Sequence, residues 1–123
     1  MLPYKRALRL NKLLHHKICD ILQEIKDPRI GFITITSTEL SDDLKLLKVY
    51  YSLIDISKKY NKNDTQLALD NAAGFIRFRI GEEIDLRVIP KIQFIFDASF
   101  ERAQRIFNLI DEISKESEDK EEL

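Results

Sequence analysis

Few residues in this chain have the type and spacing that enzyme chemistry needs. His15 and His16 are adjacent, so on a helix their rings point about 100° apart and cannot chelate one metal ion. Cys19 has no partner at a recognisable spacing, and Ser99 lacks the G-x-S-x-G turn that exposes a nucleophilic serine. A small hydrolase or metal enzyme remains an alternative, but we expect no catalytic residue, no metal ligand and no cofactor.

The basic side chains indicate a function more clearly. The chain has 20 Lys and Arg against 21 Asp and Glu, which gives a formal net charge of −1. Residues 111–123 hold seven acids and two lysines, so the rest of the chain has 18 basic and 14 acidic residues, an excess of four positive charges. Basic side chains that share a surface bind RNA phosphates and release counterions. The candidate RNA-binding residues are Lys5, Arg6, Arg9, Lys12, Lys45, Lys48, Arg77, Arg79, Arg87 and Lys91.

The first group of basic residues falls on a predicted helix. Apolar residues from Leu10 to Ile25 recur every three or four positions, which predicts an amphipathic helix. That helix should end by Lys26, because Asp27-Pro28 disfavours helical backbone. The side of the helix opposite the apolar stripe carries Lys5, Arg9, Lys12 and His16.

Alternating apolar and β-branched residues predict three strands, over Phe32–Leu40, Lys45–Ile54 and Lys91–Phe96. Turn-forming residues between the first two strands predict a hairpin. Lys48 and Tyr50 share one face of the second strand, so Tyr50 could stack on a base beside a phosphate contact from Lys48.

The segment from Thr65 to about Asp85 has a helical pattern that Ala72-Ala73-Gly74 interrupts. Because glycine costs about 1 kcal/mol relative to alanine inside a helix, we expect two helices meeting at a kink there. Asn63 or Asp64 is the expected N-cap of the first.

The C-terminal part of the chain predicts one more amphipathic helix and a tail. After Ser114 the residues are small, charged or polar, and we expect them to be disordered. The chain should therefore form one domain over residues 1–113, with an acidic tail over 114–123. The element order α-β-β-α-α-β-α predicts an α+β fold, with helices on one face of a three-stranded sheet. The last helix is traced by Phe100, Ala103, Ile106, Phe107, Ile110 and Ile113.

Length and composition limit the class of protein. The 123 residues, 44% of them apolar, suffice for one core but not for two. No apolar run approaches the ~18–20 residues of a membrane span. Cys19 is the single cysteine, so no intrachain disulfide can form and the reducing cytoplasm is the expected compartment.

Five motifs carry a resemblance to a known family. In chain order they are Arg6-x-x-Arg9-Leu10, Lys26-Asp27-Pro28-Arg29-Ile30-Gly31-Phe32, Ser41-x-Asp43-Leu44-x-x-x-Lys48-Val49-Tyr50, Ala72-Ala73-Gly74-Phe75-Ile76-Arg77, and Leu86-Arg87-x-x-Pro90-x-Ile92-x-Phe94-x-x-Asp97-x-Ser99. Any one of them is a weak signal, but five in order at suitable spacing are specific. From about Arg6 to Ile110 the chain therefore resembles ribosome-binding factor A.

The resemblance implies a bacterial, cytoplasmic, monomeric assembly factor with a type II KH-like fold, which is not an enzyme. It implies binding to the immature 30S subunit, support of late maturation and processing of precursor 16S rRNA, and a role in growth at low temperature. An assembly GTPase is a further partner that the family implies. The Ala72-Ala73-Gly74 interruption takes the place of the G-x-x-G loop of ordinary KH domains, which favours recognition of shape and phosphates over reading of four bases.

Two features of the chain depart from the family pattern. Lys91 stands where an acid is common in the family after Pro90, and the first helix is about one residue short before Lys26. The alternative is a protein-interaction module that makes no RNA contact and binds its partner through an exposed sheet face or the last helix.

Overall fold

A computed structural model describes residues 3–30, 33–53 and 61–121, without the side chains of residues 3–5, 100, 101 and 116–121. The order α-β-β-α-β-α, with a three-stranded sheet packed on helices, confirms the expected α+β class. Phe32 and Ile54, at the ends of two predicted strands, lie outside the described residues. The elements are α1 (Pro3–Glu24), β1 (Ile33–Leu40), β2 (Leu46–Leu53), α2 (Lys62–Glu83), β3 (Lys91–Phe96) and α3 (Ser99–Glu121).

The sheet has the order β1-β2-β3, and the described helices leave one of its faces open. β1 and β2 pair antiparallel, which confirms the predicted hairpin, whereas β2 and β3 pair in parallel. Leu47, Val49 and Tyr51 are fully buried, and Lys48 and Tyr50 alternate with them. Because successive side chains of a strand point to opposite faces, Lys48 and Tyr50 lie on the face that the helices do not cover.

The core lies between the other face of the sheet and the helices α1 and α2. α1 packs on β1, α2 packs on β3, and the two helices contact each other. From α1 the core receives Leu14, Ile18 and Ile21, and burying such a side chain contributes roughly 1.5–3 kcal/mol. This packing determines which side of α1 faces solvent.

α2 is a single helix of 22 residues, so the predicted helix pair meeting at Ala72-Ala73-Gly74 is wrong. Gly74 is exposed and has no positive φ, and the backbone continues through it as a helix. Leu69 and Ile76, on either side of Gly74, are completely buried. Their packing outweighs the ~1 kcal/mol that a helical glycine costs.

The N-cap of α2 is Asn61, not Asn63 or Asp64. The Asn61 side chain accepts a hydrogen bond from the Asp64 backbone N–H at 2.8 Å. The Asp64 carboxylate in turn accepts one from the Asn61 backbone N–H at 3.4 Å. The pair forms a capping box, in which Asp64 occupies the third helical position.

α3 continues to Glu121, whereas the residue pattern predicts a disordered tail after Ile113. Glutamate and lysine are strong helix formers, so a segment too polar for a core can still extend a helix that has already begun. Described residues 102–115 are all exposed, and within the described ranges α3 forms no packed interface with another element.

Candidate nucleic-acid interface

The Asp27-Pro28-Arg29 motif forms the turn that joins α1 to β1. The Asp27 carboxylate accepts hydrogen bonds from the Arg29 backbone N–H at 2.9 Å and from the Arg29 guanidinium at 2.8 and 3.1 Å. The bonds from Arg29 lower the pKa of Asp27. The buried Thr65 hydroxyl donates to the Arg29 carbonyl at 3.1 Å, so the turn also contacts the start of α2. This motif has a structural role.

The Ser41-x-Asp43-Leu44 motif closes the hairpin and begins β2. The Asp43 carboxylate accepts from the Ser41 hydroxyl at 2.6 Å and from the Lys45 backbone N–H at 3.0 Å. The bond from Ser41 is the main cause of the lowered pKa of Asp43. Leu44 has a φ of 63°, a left-handed conformation that costs roughly 1–2 kcal/mol in a residue with a Cβ. The hydrogen bonds of the turn hold that conformation and position Lys45.

Asp97, two residues before the first residue of α3, likewise accepts hydrogen bonds through its carboxylate. Its carboxylate accepts from the Ser99 backbone N–H at 2.9 Å and from the Thr36 hydroxyl of β1 at 2.8 Å. Hydrogen bonds from Ser99, and then the one from Thr36, lower the pKa of Asp97. Three of the five motifs thus contain an aspartate whose hydrogen bonds build a turn or a helix start.

The exposed side of α1 carries the first basic surface. Arg6, Arg9, Lys12 and His16 are exposed and follow one another at spacings of three, three and four residues. We call these four residues the α1 basic surface. No carboxylate of a described residue forms an ion pair with any of them. His16 is not among the candidate RNA-binding residues predicted from the sequence, although its i+4 spacing from Lys12 places it on the same face. The side chain of Lys5 lies outside the described residues.

A shallow cleft of about 370 Å³ borders the α1 basic surface, between α1 and the edge strand β1. On its lining, the Asn11 amide donates to the Thr38 carbonyl at 3.0 Å, and the His15 Nδ1 lies 3.1 Å from the Thr38 hydroxyl. The Asn11 amide oxygen is buried without a partner among the described residues. Lys12 and His16 complete the lining, so the Lys12 ammonium group borders a polar concave site.

The second group of basic residues lies on the open face of the sheet and at the start of the central strand β2. It consists of Lys45, Lys48 and Lys91, with Tyr50 beside them. We call it the sheet basic surface. The Lys91 backbone N–H donates to the Lys45 carbonyl at 2.8 Å, which brings these two residues together. Lys48 and Tyr50 lie on the face of the sheet that α1 does not cover. The candidate residues therefore do not form one continuous face, because α1 and the open sheet face lie on opposite sides of the core.

Arg77 and Arg79 use their guanidinium groups in bonds to other residues of the chain. Arg77 donates to the carbonyls of Ile89 and Pro90, both at 3.1 Å, which holds the segment before β3 against α2. Arg79 pairs with Glu24 and with Glu83, and its side chain is 23% exposed. Contact of Arg77 or Arg79 with phosphate stays a prediction, and it would have to compete with these bonds.

Lys17 completes the ion-pair network between α1 and α2. Its ammonium group lies 2.8 Å from the Glu83 carboxylate. Hydrogen bonds from Lys17 and Arg79 lower the pKa of Glu83, and those to Glu24 and Glu83 raise the pKa of Arg79. By contrast, Arg87 is exposed between α2 and β3 and pairs with no described carboxylate.

The described residues give little support to the metal-enzyme alternative. In residues 3–30, 33–53 and 61–121, no three His, Cys, Asp or Glu side chains converge as metal ligands. Burial, and next the charge of Asp20, raise the pKa of the Cys19 thiol, which makes it a poorer nucleophile. None of the described helices combines the length and the apolar composition needed to cross a bilayer.

Comparison with known proteins identifies a family whose members are similar to this chain. The family model for ribosome-binding factor A matches residues 6–110. The ribosome-binding factor A of Thermodesulfovibrio yellowstonii is 45% identical over 120 residues, which cover 97% of this chain and 99% of that protein. The solution NMR structure of a Thermotoga maritima protein, described as a ribosome binding factor A, is similar with a TM-score of 0.64 at 31% identity. That similarity covers 77% of this chain and 90% of the other.

A Thermus thermophilus structure is similar in fold. It is a homology model of ribosome binding factor A, fitted into a cryo-EM map of a 30S complex of that protein. The TM-score is 0.54 at 20% identity, over 76% of this chain and 92% of the other.

Proposed function

Because the chain belongs to the ribosome-binding factor A family, we propose that it binds the small ribosomal subunit during assembly of that subunit. The Thermus thermophilus relative, which was fitted into a map of a 30S complex, supports this choice of partner. In this proposal the protein acts in the bacterial cytoplasm, holds or remodels precursor 16S rRNA during late maturation and end processing, and supports growth at low temperature. It does so by binding, without catalysis, and an assembly GTPase is its second partner.

The observation that carries the proposal is the α1 basic surface. Arg6, Arg9 and Lys12 are exposed on one helix and pair with no described carboxylate, so they can contact phosphates without first breaking an ion pair. Each such contact releases counterions and adds affinity without reading sequence. The α1 basic surface is therefore the primary rRNA contact. The sheet basic surface, on the other side of the core, contacts a different rRNA segment, where Tyr50 can stack on an unpaired base.

The continuous α2 supports recognition of backbone and shape. Ordinary KH domains clamp a short single strand against a G-x-x-G loop. Here Gly74 lies inside a helix, where the backbone N–H groups are used in helical hydrogen bonds. The KH-like domain of this proposal therefore positions rRNA through its phosphates and does not read four bases.

Cosedimentation with small subunits tests the proposal. The full chain is mixed with immature small subunits, or with large subunits as the control, and pelleted at increasing KCl concentration. We expect binding to the small subunits that weakens steeply as salt rises, because several phosphate contacts are lost together. Absence of cosedimentation at low salt, equal binding to large subunits, or a flat salt response would each contradict it.

A protein-interaction module remains the second candidate function, because α3 exposes an apolar face. Nuclease treatment of the pelleted complex separates the two functions. Release of the chain by nuclease supports RNA binding, whereas a complex that survives complete digestion supports a protein partner.

A further inference from the structure

Tyr50 is an aromatic residue on the open face of the sheet, where it is partly exposed. It lies between Ser37 of β1 and Ile95 of β3, its partners in the two neighbouring strands. Its side chain forms no hydrogen bond, ring stacking or cation–π contact with a described residue. By contrast, the buried ring of Tyr51 on the other face packs edge-on against Phe96, with 5.8 Å between centroids. The Tyr50 ring is therefore available to a planar ligand.

Two lysines and a glutamine lie beside Tyr50 on the same face. Lys48 precedes Tyr50 by two residues, about 6.5–7 Å along the strand, and pairs with Gln93 across the sheet. Lys91 precedes Gln93 by the same interval on β3. Neither lysine forms an ion pair with a described carboxylate, although Glu39 lies directly opposite Lys48 in β1. The ring thus has cations and an amide within one or two residue spacings.

An aromatic ring flanked by cations on an open sheet is the chemistry that binds single-stranded nucleic acid. A base stacks on the ring while the ammonium groups contact the adjacent phosphates. A base inside a duplex is stacked on its neighbours and uses its pairing edge, so it cannot lie on the Tyr50 ring. The open sheet face therefore favours unpaired RNA over a duplex. The α1 basic surface, which offers cations for phosphates, makes no such distinction.

We propose that the open sheet face is a site selective for unpaired rRNA. One base stacks on Tyr50, the Gln93 amide hydrogen-bonds the edge of that base, and Lys48 and Lys91 contact the neighbouring phosphates. This inference rests on the proposed function and adds the state of the RNA that the second surface selects. Because a base that enters a helix leaves the Tyr50 ring, pairing of that rRNA segment removes this contact and leaves those of the α1 basic surface in place.

Fluorescence anisotropy of the full chain with a fluorescein-labelled RNA 12-mer measures the selectivity. The 12-mer is used as a single strand or annealed to its complement. Tyr50→Leu should weaken single-strand binding roughly tenfold, because the stacked base is lost, and should bind the duplex like the wild type. Tyr50→Phe keeps the ring and should bind both RNAs like the wild type. The control Phe78→Leu removes a ring that is 62% exposed on α2, and it should also leave binding unchanged.

A glutamine pair and tyrosine emission test the placement of the base. Gln93→Ala should weaken single-strand binding about threefold through lost hydrogen bonds, whereas Gln104→Ala, at an exposed position of α3, should not. The chain has four tyrosines and no tryptophan, so tyrosine emission can be followed directly. Single-stranded RNA should quench it, the complementary strand should restore it, and Tyr50→Leu should abolish most of the change.

The outcomes separate this site from the proposed function. Equal binding of the single strand by Tyr50→Leu and the wild type would overturn the site, as would an equal loss on the duplex or with Phe78→Leu. So would a Gln93→Ala variant that binds like Gln104→Ala. Circular dichroism checks that each variant is folded. A wild type that cosediments with small subunits but does not prefer single strands overturns this inference alone, whereas absence of cosedimentation overturns the proposed function.

Discussion

At the scale of single residues, the motifs that identify the family mix turn chemistry with surface charge. Asp43 and Asp97 bind backbone N–H groups within two residues, and such local pairs can be anticipated from sequence because short polar side chains favour turns. The hydrogen-bond partners of the Arg77 side chain could not be predicted from the sequence. Its bonds to the carbonyls of Ile89 and Pro90 depend on how α2 packs beside the segment before β3, which no local pattern records.

Truncation of Arg77 should reduce stability, whereas truncation of Arg87 should not. Arg77→Ala removes two charge-assisted hydrogen bonds to backbone carbonyls, and we expect the free energy of unfolding to fall by about 1 kcal/mol. Arg87→Ala removes the same charge from an exposed side chain and is the matched control. Urea denaturation measures both variants. Equal stability of the two would show that the Arg77 bonds contribute nothing.

At the scale of secondary-structure elements, the sequence pattern predicts the strands of the sheet correctly. It does not predict that α2 continues through Gly74. The third strand was predicted with its observed bounds, Lys91–Phe96, because alternation of side chains and Pro90 define it locally. The predicted break at Gly74 is wrong, because the burial of Leu69 and Ile76 outweighs the low helix propensity of glycine. The tail was predicted from its lack of apolar residues, which excludes a core but does not exclude a helix.

Gly74→Ala should stabilise the protein by about 0.5–1 kcal/mol. The position is exposed and helical, and a Cβ added there meets no atom within 4 Å. Gly81→Ala is the matched control, because its Cβ would lie 2.5 Å from the end of the Ile89 side chain, which has to move. Gly81→Ala should stabilise the protein less than Gly74→Ala, or destabilise it. Thermal unfolding measures both variants, and a destabilising Gly74→Ala would contradict a continuous α2.

At the scale of the whole molecule, the net charge of −1 is the sum of a basic region over residues 1–110 and an acidic region over residues 111–123. The acidic region belongs to α3 as far as Glu121, and among the described residues α3 forms no packed interface with the core. Counting the charges of residues 111–123 separately from the rest of the sequence predicts this separation of acidic and basic regions. It could not predict that the candidate cations lie on two opposite sides, because that depends on which face of the sheet the helices cover.

The most direct measurement is the salt dependence of small-subunit binding by an α1 double variant, Arg9→Ala with Lys12→Ala. Its control, Lys26→Ala with Lys115→Ala, removes the same charge from exposed positions outside the α1 basic surface. We predict that the α1 variant binds at least about tenfold more weakly and that its slope of log affinity against log salt becomes shallower by about one to two units. The control should bind like the wild type. An α1 variant with unchanged affinity and slope, or a control that loses as much, would contradict the assignment of the α1 basic surface to rRNA.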